Sequence, residues 1–136
     1  MQPTTPRDFL KVALQRLAVA NEIMDILQRT LEAQYIGGYS VECSLKALIL
    51  EKTGERDRPA VLEVLTRGAT YRRAEVLLDR LREREVFLSV ELAKRMRRFD
   101  WTTGLRYELG RKDTGETNGL LRTANMIFEW VEEQIP

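Results

Sequence analysis

Residues 33–54 read AQYIGGYSVECSLKALILEKTG, the most apolar stretch of the chain. Small residues recur at Ala33, Gly37, Ser40, Ser44 and Ala47 in alternating steps of four and three, which places them on one stripe of a helix. Gly38, Val41, Leu45 and Leu48 form a bulkier stripe beside it, and Ile36, Cys43 and Leu50 a third. A helix that is apolar nearly all round belongs inside a packed structure. Gly37 and Gly38 each cost about 1 kcal/mol of helix propensity relative to Ala, so the pair predicts a close crossing or a bend. Gly54 is placed to end the helix as its C′ residue, giving a central helix over 33–53.

Two charges interrupt the segment, Glu42 and Lys46. Their i, i+4 spacing, acid first, is the favourable order for a helical ion pair. The pair reads either as a surface pair that snorkels at the edge of the core, or as a partly buried pair that orients a site or a dimer partner.

Upstream, Thr5-Pro6-Arg7-Asp8 starts a first helix, with Thr5 as cap and Pro6 at the first helical position. Leu10, Leu14, Leu17, Met24 and Leu31, with Ala13, Ala20 and Leu27 beside them, supply its apolar stripe. That helix ends between Leu27 and Leu31, and Thr30 is placed to cap the central one. Downstream, Pro59 opens a short helix closed by Gly68. Thr70 is placed to cap a helix carrying Ala74, Leu77, Leu78 and Leu81, and Ser89 one carrying Leu92, Ala93, Met96 and Phe99. Residues 100–112 form the longest irregular stretch. Asp113 then caps a last helix with a 3.6-residue stripe: Leu120, Leu121, Ala124, Ile127, Phe128, Val131 and Ile135. No alternating strand pattern and no hairpin signal is present. The fold class is therefore all-α, an up-down bundle of four to five main helices, mostly antiparallel because the connections are short, in one domain over 1–136.

The chain has no histidine and one cysteine, Cys43. This removes the commonest general base near neutral pH and any His/Cys zinc site, so no metal and no cofactor is expected. Neither a membrane span nor an apolar leader is legible, and a lone buried cysteine suits a reducing compartment, so a cytoplasmic location is expected. Charge is uneven under a net +1: residues 67–98 hold ten basic and five acidic side chains, net +5. That segment is either a polyanion footprint or a solvated helix face. No phosphate-binding glycine loop and no nucleophile elbow is present.

The concentration of chemically useful residues lies at 101–112. Trp101, Arg106 and Tyr107 sit close together beside the basic helix that carries Lys94, Arg95, Arg97 and Arg98. Aromatic rings stack on bases and an arginine fork matches phosphate. Trp101, Arg106, Tyr107, Lys94 and Arg98 are accordingly the candidate ligand residues. Arg106 and Tyr107 are expected at one end of the bundle, near the basic surface of 94–98. The competing assignment makes Trp101 and Tyr107 a structural lid, with Arg106 pairing Glu42 or another acid.

The order of these features resembles the HEPN domains (higher eukaryotes and prokaryotes nucleotide-binding). In those, a Gly/Ala-rich turn leads into an acid, a Leu-Lys and an aliphatic run, matched here by Gly37-Gly38, Glu42, Leu45-Lys46 and 47–50. An Arg-Tyr before the last amphipathic helix is matched by Arg106-Tyr107. The likeness spans about residues 7–135. It implies an antiparallel helical bundle, often a homodimer, that binds nucleotide or RNA, serves as a protein-interaction module, or acts as an RNase toxin paired with a minimal nucleotidyltransferase. Family RNases use an Arg followed after four to six residues by His. Here Arg106 is followed at those spacings by Arg111, Lys112 and Asp113, and Arg98 by Thr103, Gly104 and Leu105. The resemblance therefore implies a non-catalytic binding domain. The alternatives are an RNase using Tyr107 or Glu108 with Arg106 as substitute machinery, and a structural dimerisation module.

Overall fold

The computed structural model describes residues 2–99, 101, 105 and 108–136. They form six α-helices and, among the described residues, no strand: α1 (Pro6–Glu22), α2 (Thr30–Glu51), α3 (Arg58–Leu65), α4 (Ala74–Glu83), α5 (Val90–Arg97) and α6 (Thr114–Glu132). A π-helical turn, Ile23–Leu27, extends α1, and a 3-10 turn, Thr70–Arg72, precedes α4. The all-α class follows directly, with α3 and α5 only eight residues long. No helix among the described residues is long and apolar enough to cross a membrane.

α2 is the central element. Every residue from Ser40 to Leu50 is buried, because α1, α4 and α6 all pack against it. The small-residue stripe does what its spacing predicts. A Cβ added at Gly37 would stand 2.8 Å from Leu121 Cδ2 and 3.2 Å from Leu120 Cδ2, so only a bare backbone allows this crossing. Ser40 Oγ donates to the Ala13 carbonyl at 2.7 Å across the α1–α2 contact.

Residue pairings set the helix directions. Ala13 meets Ser40 and Arg16 meets Tyr39, one number rising as the other falls, so α1 and α2 run antiparallel. Against α6 the numbers rise together. The Gln34 amide donates to Thr117 Oγ1 at 2.9 Å, Gly37 faces Leu120, and Arg111 donates to the Gln28 carbonyl at 2.8 Å. Helices α2 and α6 are therefore parallel, which corrects the expectation for this pair. Three short helices and their turns return the chain to the end where α2 begins before α6 starts. Arg7 on the Pro136 carbonyl, with Asn21 and Asp25 sharing a cleft with Asn118 and Arg122, makes α1 and α6 antiparallel.

Several boundaries move. Thr5 caps α1 with Pro6 in its first turn as expected, and Asp8 completes a capping box with it. Its inward stripe, however, is Phe9, Ala13, Leu17, Ala20 and Met24; Leu14 is 52% exposed and Leu27 also faces out. Thr30 is the first residue of α2 rather than its cap, and its Oγ1 accepts from the Lys112 amide at 2.8 Å. Helix α2 stops at Glu51, three residues before Gly54. Thr53 Oγ1 donates to the Ile49 carbonyl at 2.6 Å, and Arg58 Nε donates to the Thr53 carbonyl at 3.0 Å. Side chains thus satisfy the orphan carbonyls, and no left-handed glycine is needed there. Thr70 opens the 3-10 turn, and α4 begins only at Ala74.

Candidate ligand site

Glu42 and Lys46 stand one turn apart on the most buried helix of the molecule. Lys46 Nζ lies 2.8 Å from Glu42 Oε2, and the two side chains are only 7% and 9% exposed. Of the two sequence readings the buried pair is the one observed. Every residue of α2 from Ser40 to Leu50 is buried, so both charges sit inside the packed part of the helix.

The pair opens on a cavity of about 350 Å³. Tyr35, Gly38, Tyr39, Glu42 and Lys46 line it from α2, and Arg72 reaches it from the 3-10 turn. Trp101 and Leu105 close it from the connection before α6. Tyr35, Tyr39 and Arg72 escaped the sequence reading. The signal for the tyrosines was present: steps of four, three and four from 35 to 46 put both rings on the helix face of the ion pair. Arg72 had no such signal, because a turn positions it.

The charged groups on the cavity wall are the Glu42–Lys46 pair and Arg72, and Arg16 stands behind Tyr39 outside the lining. The Arg16 guanidinium lies 5.4 Å from the Tyr39 ring centroid, a cation–π contact. Burial, then the neighbouring Cys43 and Glu42, push the Tyr39 hydroxyl above its ordinary value, so this ring stays a neutral donor. Arg72 pairs with no carboxylate among the described residues. The rest of the basic segment is largely spent internally. Arg67 pairs with Glu63, Arg73 with Glu75, Arg80 with Glu83, Arg82 with Asp79 and Arg95 with Glu91. These pairs hold individual arginines but leave the segment's surplus of positive charge in place, and Arg72, Lys94, Arg97 and Arg98 are cations with no such partner among the described residues.

Trp101 is held rather than loose. Its Nε1 donates to the Met96 carbonyl at 2.8 Å, its ring meets Phe99 edge-on at 5.9 Å, and it faces Gly38 across α2. Of the five predicted ligand residues, Trp101 reaches the cavity. Lys94 and Arg98 are exposed on and just after α5 and do not line it. Arg106 and Tyr107 lie outside the described residues.

Cys43 shares the cavity wall. Burial, reinforced by the Glu42 carboxylate, pushes its thiol up to about 12 from an ordinary 9.0. The neutral thiol is therefore favoured by folding. Its contribution to stability is complete below pH 9 and is lost as pH rises from 9 towards 12. Thiol reagents are expected to leave native protein unmodified at pH 8. Subtracting the alkaline stability profile of Cys43→Ala from that of the parent should leave a fall confined to that window; a flat difference would contradict it.

The fold and cavity define a class: a helical bundle with a cation-lined, ring-lined cavity against its central helix. Comparison with protein-family models, curated proteins and solved structures found no match, so the site is read from its own residues.

Proposed function

We propose that the chain is a non-catalytic HEPN-like domain that binds a nucleotide or a single-stranded RNA segment in the cavity beside Glu42 and Lys46. The observation that carries this is the buried ion pair opening on a cavity whose walls also carry the rings of Tyr35, Tyr39 and Trp101 and an arginine, Arg72, with no carboxylate partner among the described residues. A buried ion pair is weak support for stability, since apolar replacements do as well. Its position against a cavity suits a binding role. Glu42 holds Lys46 in place, Lys46 and Arg72 meet phosphate oxygens, and Tyr35, Tyr39 and Trp101 offer faces to a base. Binding without catalysis follows from the missing histidine: a positioned general base contributes about 10²–10⁴ in rate.

The test is titration with adenosine monophosphate and a short single-stranded RNA. Wild type should bind at least one, with affinity falling steeply as salt rises. Glu42→Gln combined with Lys46→Met removes both charges of the pair while keeping their space filled, and should weaken binding about tenfold or more while melting stays nearly unchanged. A wild type that binds neither ligand at millimolar concentration would refute the proposal.

A second copy of the chain is the partner we propose, on one specific observation. Val19, Ile26 and Leu27 are exposed around the end of α1, Ile26 by 75%. Spacings of seven and eight put them on one stripe. Sedimentation should show a dimer at micromolar concentration that Ile26→Asp with Leu27→Asp converts to monomer; a monomeric wild type would exclude it. The resemblance adds a minimal nucleotidyltransferase as the other protein partner to look for.

A further inference from the structure

Trp101 also lines a second, larger cavity, of about 620 Å³, between α4, α5 and α6. Leu78 from α4, Met96 from α5 and Trp130 from α6 give it apolar walls, and Phe99 and Trp101 add ring surface. Phe87, in the connection between α4 and α5, stands at its edge 63% exposed. A ring of this size left in water beside an apolar hollow is a standing cost that an occupant would relieve.

Its charges are not balanced. Three arginines, Arg73, Arg82 and Arg97, meet two carboxylates, Glu75 and Asp79. Arg73 is paired with Glu75 and Arg82 with Asp79, so both acids are occupied. Arg97 pairs with no carboxylate among the described residues, and a single positive charge remains at the edge of an aromatic-lined cavity. The volume falls in the small-molecule range and is more than a lone side chain would fill. We infer that this cavity is a second binding site, for a small planar ring system carrying one anionic group. The rings of Phe87, Phe99, Trp101 and Trp130 take the planar part, and the Arg97 guanidinium takes the anion. This site is independent of the Glu42–Lys46 cavity, although Trp101 is common to both.

The chain's two tryptophans, Trp101 and Trp130, both line the cavity, and Trp130 does not line the Glu42–Lys46 cavity, so quenching of Trp130 emission reports occupancy of this one. The probes are 8-anilinonaphthalene-1-sulfonate and its uncharged counterpart N-phenyl-1-naphthylamine. Both should bind saturably at one site and quench tryptophan emission. Arg97→Gln should weaken the sulfonate about tenfold and leave the neutral probe within about twofold, the difference being one charge-assisted hydrogen bond. Ala93→Phe, on the cavity wall, should displace both probes; Phe87→Ala at the edge, which cannot overfill the fold, should weaken both. Glu42→Gln with Lys46→Met should change neither. Absence of saturable binding, or sulfonate binding indifferent to Arg97→Gln and to both wall variants, would overturn the inference.

Discussion

Glu42→Leu is expected to lower folding stability by about 3–5 kcal/mol, because it strands the Lys46 ammonium in a buried helix. The parent pair satisfies itself at 2.8 Å, each ion serving as the other's solvent. With Glu42 gone, no other carboxylate among the described residues lines this cavity. Lys46 must then hold a charge without a partner or give up its proton, and either costs stability. The double variant Glu42→Leu, Lys46→Leu should recover most of the loss, since a packed apolar pair often matches a buried ion pair. Urea unfolding of the two singles and the double closes the cycle. A Glu42→Leu loss below about 1 kcal/mol would show that cavity water solvates Lys46, against the burial seen.

Leu45→Ala is the second large effect, about 2–5 kcal/mol. Leu45 is fully buried on α2 in the main core, among residues of α1, α4 and α6. Three neighbouring helices cannot all close in on the deleted methyl groups, so a cavity term adds to the lost transfer energy. Leu14→Ala is the matched control. Leu14 looks equally like a core residue in sequence, yet it faces outward, and its truncation should cost under about 0.5 kcal/mol. Equal losses at the two positions would reverse the orientation of α1 described here.

Much of this was legible because helices announce themselves locally. The small stripe of α2, the Thr5 and Asp113 caps, and the stripe of α6 from Leu120 to Val131 are all readable from spacing, and all are found where spacing puts them. Leu14 and Leu27 were misassigned because the first helix carries more apolar residues than one face can bury. The 3.6 period admits two stripes, and the neighbouring helices choose between them. Arg72 was invisible as a site residue for a related reason: it reaches the cavity from a turn, and no periodicity relates a turn to α2. The predicted cluster around Trp101 was read from closeness along the chain. In the structure, Trp101 stands between two cavities, one with Tyr35, Tyr39 and the Glu42–Lys46 pair and one with Met96 and Arg97 of α5, and Lys94 and Arg98 line neither.

Composition and periodicity alone determined that this chain is all-α, that residues near 33–53 form its buried helix, and that histidine-based chemistry is closed to it. Only the tertiary structure decided that α2 and α6 run parallel, that Glu42 and Lys46 are a buried rather than a surface pair, and which arginines of the basic segment sit against a carboxylate and which do not. Local patterns report which residues seek a core. Which charges lose their water depends on how many helices surround them, and that number is a property of the assembled bundle.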